Sequence, residues 1–505
     1  MKTSSEIIDA LNTLERQFPV AQWRSGDLHL WPSYRLRLYG NAIDRMLLTQ
    51  APPQTLGRLG RLADRAARAL WRVPLAAWRD HRANAPWHQD AQAVFFSDGV
   101  SFTPLNGQWF DRIIDPVMQA LDRRGLHSLK LTPLAEAHVP RQRPSRFVQP
   151  AIDRIKLLAS RGRPALETPQ WETFEQAAQA AFGAPVPSRE WLQMQTARLD
   201  ALARWFGHRL QATGARCAFV NTYYSLEGQA FVQAARRLGL TTVDVQHGMQ
   251  GEHHAAYARW LQVPAGGYST LPDEFWVWGD TEAQAIGRWN AGLGTHRPRV
   301  TGNPWLQRWA DDSDPLIATC LAQAGALRRP GKRQVLACLS WGLADEETGK
   351  LIEAAIQCGP DVAWWWRLHP VESGKRTAFA ARLQQQGLDG SQVGAATDLP
   401  LYALVRSADV VLAHSSTVIQ EAAQLGVPSV VSSDYGAEFH AGLVHTGQAL
   451  KATTPAAIAT AVRAMADRPR NESPLVVQGD LLQAAVDDLF KTAPRLQPRS
   501  EPAPA

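Results

Sequence analysis

From residue 217 onward, short apolar runs alternate with longer stretches of helix formers, and this rhythm constrains the fold more than any other feature. Residues 217–220, 242–245, 274–278, 334–339, 362–368 and 408–413 are runs of the kind that buried parallel strands require. Between them, 227–238, 281–290, 346–358 and 417–425 carry helix formers, with Gly239 and Gly426 where a helix C-cap is wanted. Strand, helix and strand repeated in this way predict doubly wound, largely parallel sheets. Upstream, residues 93–97 and 128–131 read as two further strands, joined by a loop over 100–111 and a helix over 112–124.

A chain of 505 residues is too long for one ordinary core. The pattern predicts a helical N-terminal extension over 1–90 and a Rossmann-like domain over 91–325. A second Rossmann-like domain covers 326–487, and a Pro-rich disordered tail covers 488–505. The fold class is therefore α/β, with two doubly wound domains facing a cleft.

No apolar run approaches the roughly 18 residues of a membrane span. The opening stretch MKTSSEIIDALNTLERQF reads as an amphipathic helix rather than a signal peptide, which predicts a cytoplasmic protein. The net charge of +6 admits a phosphate, a nucleotide or an anionic membrane as partner, and no nucleic-acid-binding signature is present. Arg58, Arg61, Arg65, Arg68 and Arg72 share one face of a helix over 57–73. That face suits either contact with an anionic membrane or plain solvation. Cys217, Cys320, Cys338 and Cys358 are far apart, without metal-ligand spacing, and read as reduced thiols.

The chemistry lies where the apolar runs stop. Their ends are Asp98-Gly99, Gln246-His247-Gly248, Gly279-Asp280, Gly302-Asn303-Pro304, Ser340-Trp341-Gly342, His369-Pro370 and His414-Ser415-Ser416. Each alone is an ordinary turn composition. In parallel sheets all of them fall at the carboxyl edge, where open α/β folds bind ligands. Ser415, Ser416 and Thr417 at a helix start are either N-caps or a phosphate seat.

These motifs carry a resemblance. VDVQHGMQ with Tyr257 downstream, FWVWG, VTGNP, RLHP and HSSTVIQEAAQLGVPSVV resemble, in order and spacing, the GT-B superfamily of nucleotide-sugar enzymes. The closer likeness is to bacterial transferases of surface polysaccharide assembly (capsule, O-antigen and teichoic-acid types). It runs from about Cys217 to Val431, and the first 210 residues carry little of it. The resemblance implies that the C-terminal domain holds a nucleotide-activated sugar donor. His369 and Pro370, Arg367, the Ser340-Trp341-Gly342 loop, His414, Ser415, Ser416 and Thr417 would hold its phosphates, and Glu421 its ribose hydroxyls. Gln246, Gly248, Gly302 and Asn303 would line the cleft. The N-terminal domain would take a glycan or lipid-linked acceptor.

Stabilising a leaving nucleotide needs positive charge or oriented N–H groups. The sequence shows no Asp-x-Asp at a strand end, since Asp311-Asp312 lies in a linker, so neither a metal nor another cofactor is expected. Inverting transfer needs a base for the acceptor hydroxyl. His247 is the first candidate, Asp98 the second and Glu227 a third. Similar His-Gly elements serve in teichoic-acid polymerases, and Asp98 resembles the base of bacterial sialyltransferases. Two other readings stay open: an isomerase like UDP-N-acetylglucosamine 2-epimerase, and a non-catalytic nucleotide-sugar-binding subunit.

Overall fold

The computed structural model describes residues 3–47, 68–75, 77–78, 90–133, 139–470 and 480–492. Seven parallel strands form the first sheet. Their spatial order is Arg297–Val300, Glu274–Val277, Thr241–Val245, Cys217–Val220, Ala93–Phe96, Ser128–Thr132 and Arg146–Phe147. The chain winds outward from Ala93–Phe96 on one side, returns to its other flank at Cys217–Val220, and winds outward again. The second sheet runs Val362–Arg367, Arg333–Cys338, Val410–Ala413, Ser429–Val431 and Ala449–Lys451, again all parallel. It reverses between Arg333–Cys338 and Val410–Ala413. Both doubly wound domains of the expected fold are present.

The apolar runs are buried on both faces, as parallel strands under two helix layers must be. Phe95 stacks on Phe219 across neighbouring strands with ring centroids 4.6 Å apart, and Trp276 meets Phe219 edge-on at 5.4 Å. The N-terminal helices Ser4–Gln17 and Trp31–Leu47 are not an appendage. Ile8, Leu11, Trp23 and Tyr34 share one buried cluster with Leu199, Phe206 and Phe231 of the first domain. Most of the expected basic face, with Arg58, Arg61 and Arg65, lies outside the described residues, and Arg68–Arg72 form a single π-helical turn.

Two of the elements that depart from the sequence reading bear on how the domains meet. The expected loop over 100–111 is an antiparallel ribbon of Phe102–Leu105 and Gln108–Asp111. Asn106 and Gly107 turn it with positive φ of 49° and 73°, the backbone a tight hairpin demands. Its Leu105 and Phe110 enter the core of the second domain, where Phe110 lies 5.0 Å from the ring of Trp305. The second departure is at the C-terminus. The helix Leu481–Thr492 continues past residue 488 and packs on the first domain, burying Leu482, Val486, Leu489 and Phe490 against Ile114, Val117 and Met118. No helix among the described residues is long and apolar enough to cross a membrane. The four cysteines are free thiols.

Candidate functional site

The reversal point of the first sheet lies between Ala93–Phe96 and Cys217–Val220, and a polar group is built on it. Asp98 follows the first of these strands, and Asn221 and Thr222 follow the second. The Asp98 carboxylate accepts from Thr222 Oγ1 at 2.7 Å and from Asn221 Nδ2 at 3.0 Å, and its N–H donates to Asn221 Oδ1 at 3.0 Å. One strand further, Gln246 fixes the next end. Its Oε1 accepts from the Trp278 N–H at 2.7 Å and its Nε2 donates to the Gly248 carbonyl at 2.9 Å. His247 is thereby held between two pinned residues.

His247 Nε2 lies 3.2 Å from the Tyr224 hydroxyl, and Nδ1 is buried without a hydrogen-bond partner among the described residues. Burial lowers the imidazole pKa. The nearby Asp98 charge opposes that shift, and the Arg112 charge adds to it. The ring is therefore neutral at pH 7. In the tautomer whose Nε2–H donates to Tyr224, Nδ1 carries a free lone pair. His254 also packs on Tyr224, ring centroids 5.1 Å apart, and burial lowers its pKa to about 3. Beneath them Asp244 accepts from Tyr257 Oη at 3.1 Å and from the Tyr223 N–H at 3.2 Å. Burial pushes its carboxyl up to about 8.

The second domain meets this group edge to edge. A Cβ on Gly248 would sit 3.6 Å from Thr417 Oγ1, so the His247-Gly248 turn faces the loop after Val410–Ala413. Gln420 Nε2 donates to Glu282 Oε1 at 2.8 Å across the same gap. Arg112 reaches over from the end of the hairpin, with Nη1 3.4 Å from Tyr402 Oη, and Tyr402 donates to Glu421. Glu421 is buried, which raises its pKa, while the Arg112 charge pulls the other way.

The predicted donor residues divide. Those around the second reversal point come together. His414 leads into Ser415, whose Oγ is 3.5 Å from His414 Nδ1, and Ser416 Oγ accepts the Val418 N–H at the start of the helix Val418–Gln424. Gly436 must be glycine, because a Cβ there would overlap the His414 carbonyl. His369 follows Val362–Arg367 and accepts the Val371 N–H through Nδ1 at 3.3 Å. Pro370 opens the short 3-10 turn behind it. Ser340 lies at the end of the neighbouring strand, with Gly342 at φ 69° and Trp341 64 % exposed.

Others have partners of their own. Arg367 donates from Nη1 to the carbonyls of Ala396 and Leu399 at 2.7 and 2.6 Å, so it pins the end of the helix Val393–Asp398. Glu227 pairs with Lys156 Nζ at 2.6 Å and makes no hydrogen bond with His247 or Asp98 among the described residues. Its neighbour Gly228 is explained by packing, since a Cβ would overlap the Thr222 carbonyl. Asn303 caps the helix Pro304–Ala310 by accepting the Leu306 N–H at 3.1 Å, and Gly302 before it has φ of 71°. Glu421 is met by Tyr402 rather than lying open.

Arg112, Tyr224 and Tyr402 were not read from the sequence. Arg112 follows the hairpin, Tyr224 precedes the helix Leu226–Arg237 and Tyr402 lies in the first turn of the helix Leu401–Ser407, yet no local pattern announces a partner 290 residues away, as Tyr402 is from Arg112. Among the described residues no group of three or more His, Cys, Asp or Glu side chains is placed to hold a metal ion.

No protein-family model matches the chain, and no curated protein matches it. Solved structures align over most of its length at low identity. The UDP-GlcNAc 2-epimerase of Methanocaldococcus jannaschii aligns with a TM-score of 0.49 at 12% identity, over 79% of this chain and 99% of that one. The Neisseria meningitidis UDP-GlcNAc 2-epimerase bound to UDP-GlcNAc gives 0.46 at 14% identity, over 79% and 99%. A wall teichoic acid polymerase, TagF, soaked with CDPG gives 0.42 at 13% identity, over 86% of this chain and 98% of that one.

Proposed function

We propose that the protein is a glycosyltransferase that moves a sugar from a nucleotide-activated donor to a surface-polysaccharide or lipid-linked glycan acceptor, without a metal. One observation carries this reading. A neutral, buried imidazole with an unpartnered ring nitrogen stands at the edge of one doubly wound sheet, facing the hydroxyl-bearing loop at the reversal point of the other.

In the proposed reaction His247 removes the proton from the acceptor hydroxyl, whose oxygen bonds to the anomeric carbon as the bond to the donor phosphate breaks. Asp98 steadies the imidazolium that forms. The departing phosphate gathers charge beside Ser415, Ser416 and Thr417 and the N–H groups that follow them, with Arg112 supplying a cation from the opposite domain. Asp311 and Asp312 are committed elsewhere, to Ser313 and Arg406, which supports the metal-free reading.

A second reading has its own support. Three carboxyl groups serve elements of the first domain that lead to this edge: Asp98 follows Ala93–Phe96, Asp244 is buried within Thr241–Val245 and held protonated near neutrality, and Glu282 lies in the first turn of the helix Asp280–Asn290. Such a set suits isomerisation of the donor sugar. CMP-, UDP-, GDP- and CDP-activated sugars, screened by thermal shift, test both readings. At least one should raise Tm; stabilisation by none would overturn the nucleotide site. Incubation with the donor that binds then separates them, because a 2-epimerised sugar released without acceptor would establish the isomerase.

A further inference from the structure

Beside Tyr224 lies a cavity of about 340 Å³ that the reaction above does not use, and one of its lining side chains, Tyr39, is hydrogen-bonded to Tyr435 of the second domain. Its size falls within the roughly 300–1,000 Å³ of small-molecule sites. The helix Trp31–Leu47 forms one wall, and Trp191, Tyr224 and Leu226 contribute to the others.

The polar groups of this lining are largely turned to one another. Ser33 donates to Gln229, Gln229 donates to the Tyr224 carbonyl at 3.3 Å, and Tyr39 Oη donates to the His253 carbonyl at 2.8 Å. Tyr224 Oη is engaged with His247, and His254 Nδ1 accepts the Ala256 N–H at 3.2 Å. What remains to meet a ligand is mostly ring and aliphatic carbon, with Arg37 and Gln195 as the polar exceptions.

Gly40 is the second observation. It sits inside the helix Trp31–Leu47, where glycine costs about 1 kcal/mol relative to alanine. A Cβ there would meet nothing within 4 Å, so no close approach requires the glycine. Its missing side chain leaves open the part of the cavity that it lines. The exposed Arg37 guanidinium lies 5.8 Å from the Trp191 ring and supplies a cation at the mouth.

We propose that this cavity seats an aliphatic chain carried by the acceptor, with Tyr224 as the partition between the chain and the reacting hydroxyl. The word acceptor rests on the transferase reading above, whereas the chain site stands on the cavity itself. One side chain then has two duties: its ring forms a wall of the chain site, and its hydroxyl orients His247.

The test uses the full chain and 11-(dansylamino)undecanoic acid, a fluorescent aliphatic probe with an anionic end. The protein should bind it saturably at one site. In protein carrying ¹³C-labelled histidine, the ring signals of His254 and His247 should move along the same saturation curve. Gly40→Phe fills the cavity from a position with free space, so its Tm should match or exceed that of the parent while probe affinity falls at least tenfold. Absence of saturable binding, undiminished binding to Gly40→Phe, or saturation without movement of the His254 signal would overturn the chain site. Movement of His254 without His247 would overturn its link to the acceptor. The measurement needs no nucleotide, so failure of the donor screen and failure of this site are read separately.

Discussion

The base role proposed for His247 depends on surroundings that keep it neutral, and each neighbour acts on it with a definite sign. Burial lowers its pKa, so the acid limb of kcat should lie below the ordinary imidazole value of about 6.5. Asp98 raises the pKa, so Asp98→Asn should carry the limb to still lower pH and leave measurable turnover. If turnover and limb vanish together, Asp98 is the base. His247→Ala should lower kcat by about 10²–10⁴-fold, the usual contribution of a general base. Asp244 makes the complementary prediction for stability. Its carboxyl titrates at about 8 when folded against a reference of 3.8, so the folded state holds the proton more tightly. Stability is then lost as pH rises from about 4 to 8. Asp244→Asn keeps an acceptor for the Tyr223 N–H and removes that loss. Its Tm should exceed the parent's most above pH 8, with the gain fading toward pH 4. His247 and Asp98 could be named as candidates from the sequence because strand ends are legible from where apolar runs stop. Arg112 and Tyr402 were illegible, because a charge's partner is set by packing between distant segments.

At the scale of elements the hairpin before Arg112 matters most. Asp111 ends it and accepts from Ser97 Oγ at 2.6 Å and from the N–H groups of Ile113 and Ile114, while Asp115 pairs with the buried Lys130 at 2.5 Å. These bonds fix the backbone from which Arg112 reaches the second domain, and Phe110 anchors the same ribbon in the second core. Phe110→Ala should cost about 3–5 kcal/mol, the usual price of removing a buried phenyl ring. It should also diminish the thermal shift given by any nucleotide that binds. A lower denaturant midpoint with an unchanged nucleotide response would mean that the ribbon is a strut only. The ribbon was missed although Asn106-Gly107 is a strong hairpin signal. Pro104 and the polar flanks at 106–108 break the alternation that reveals a strand. The main strands were read within about two residues, because burial on both faces leaves them uninterrupted.

For the whole molecule, the order of strands and the path of the ends were beyond the sequence. Periodicity shows that a run is a strand and says nothing of its neighbours. The helix Leu481–Thr492 is the clearest case: it follows the second domain in the chain and belongs to the first in space. Arg124 Nη1 donates to the Val486 and Asp487 carbonyls at 3.3 and 3.1 Å, and Arg216 Nη2 donates to the Phe490 carbonyl at 2.9 Å. Leu489 is 2 % exposed, so Leu489→Ala should cost about 2–5 kcal/mol. Where that loss appears is the informative part. If the helix is a component of the first core, hydrogen exchange should quicken in Ile114–Asp122 and in the strand Ala93–Phe96. The strands Arg333–Cys338 and Val410–Ala413, nearer in sequence, should keep their protection. Faster exchange confined to the second sheet would refute that assignment. Closing the chain on its first domain also means that the two sheets are joined at both ends of the second one, at the hairpin-facing helix Pro304–Ala310 and at this C-terminal helix. Besides these two crossings, the Gln420–Glu282 and Arg112–Tyr402 contacts link the carboxyl edges on which the Gly248 turn faces Thr417.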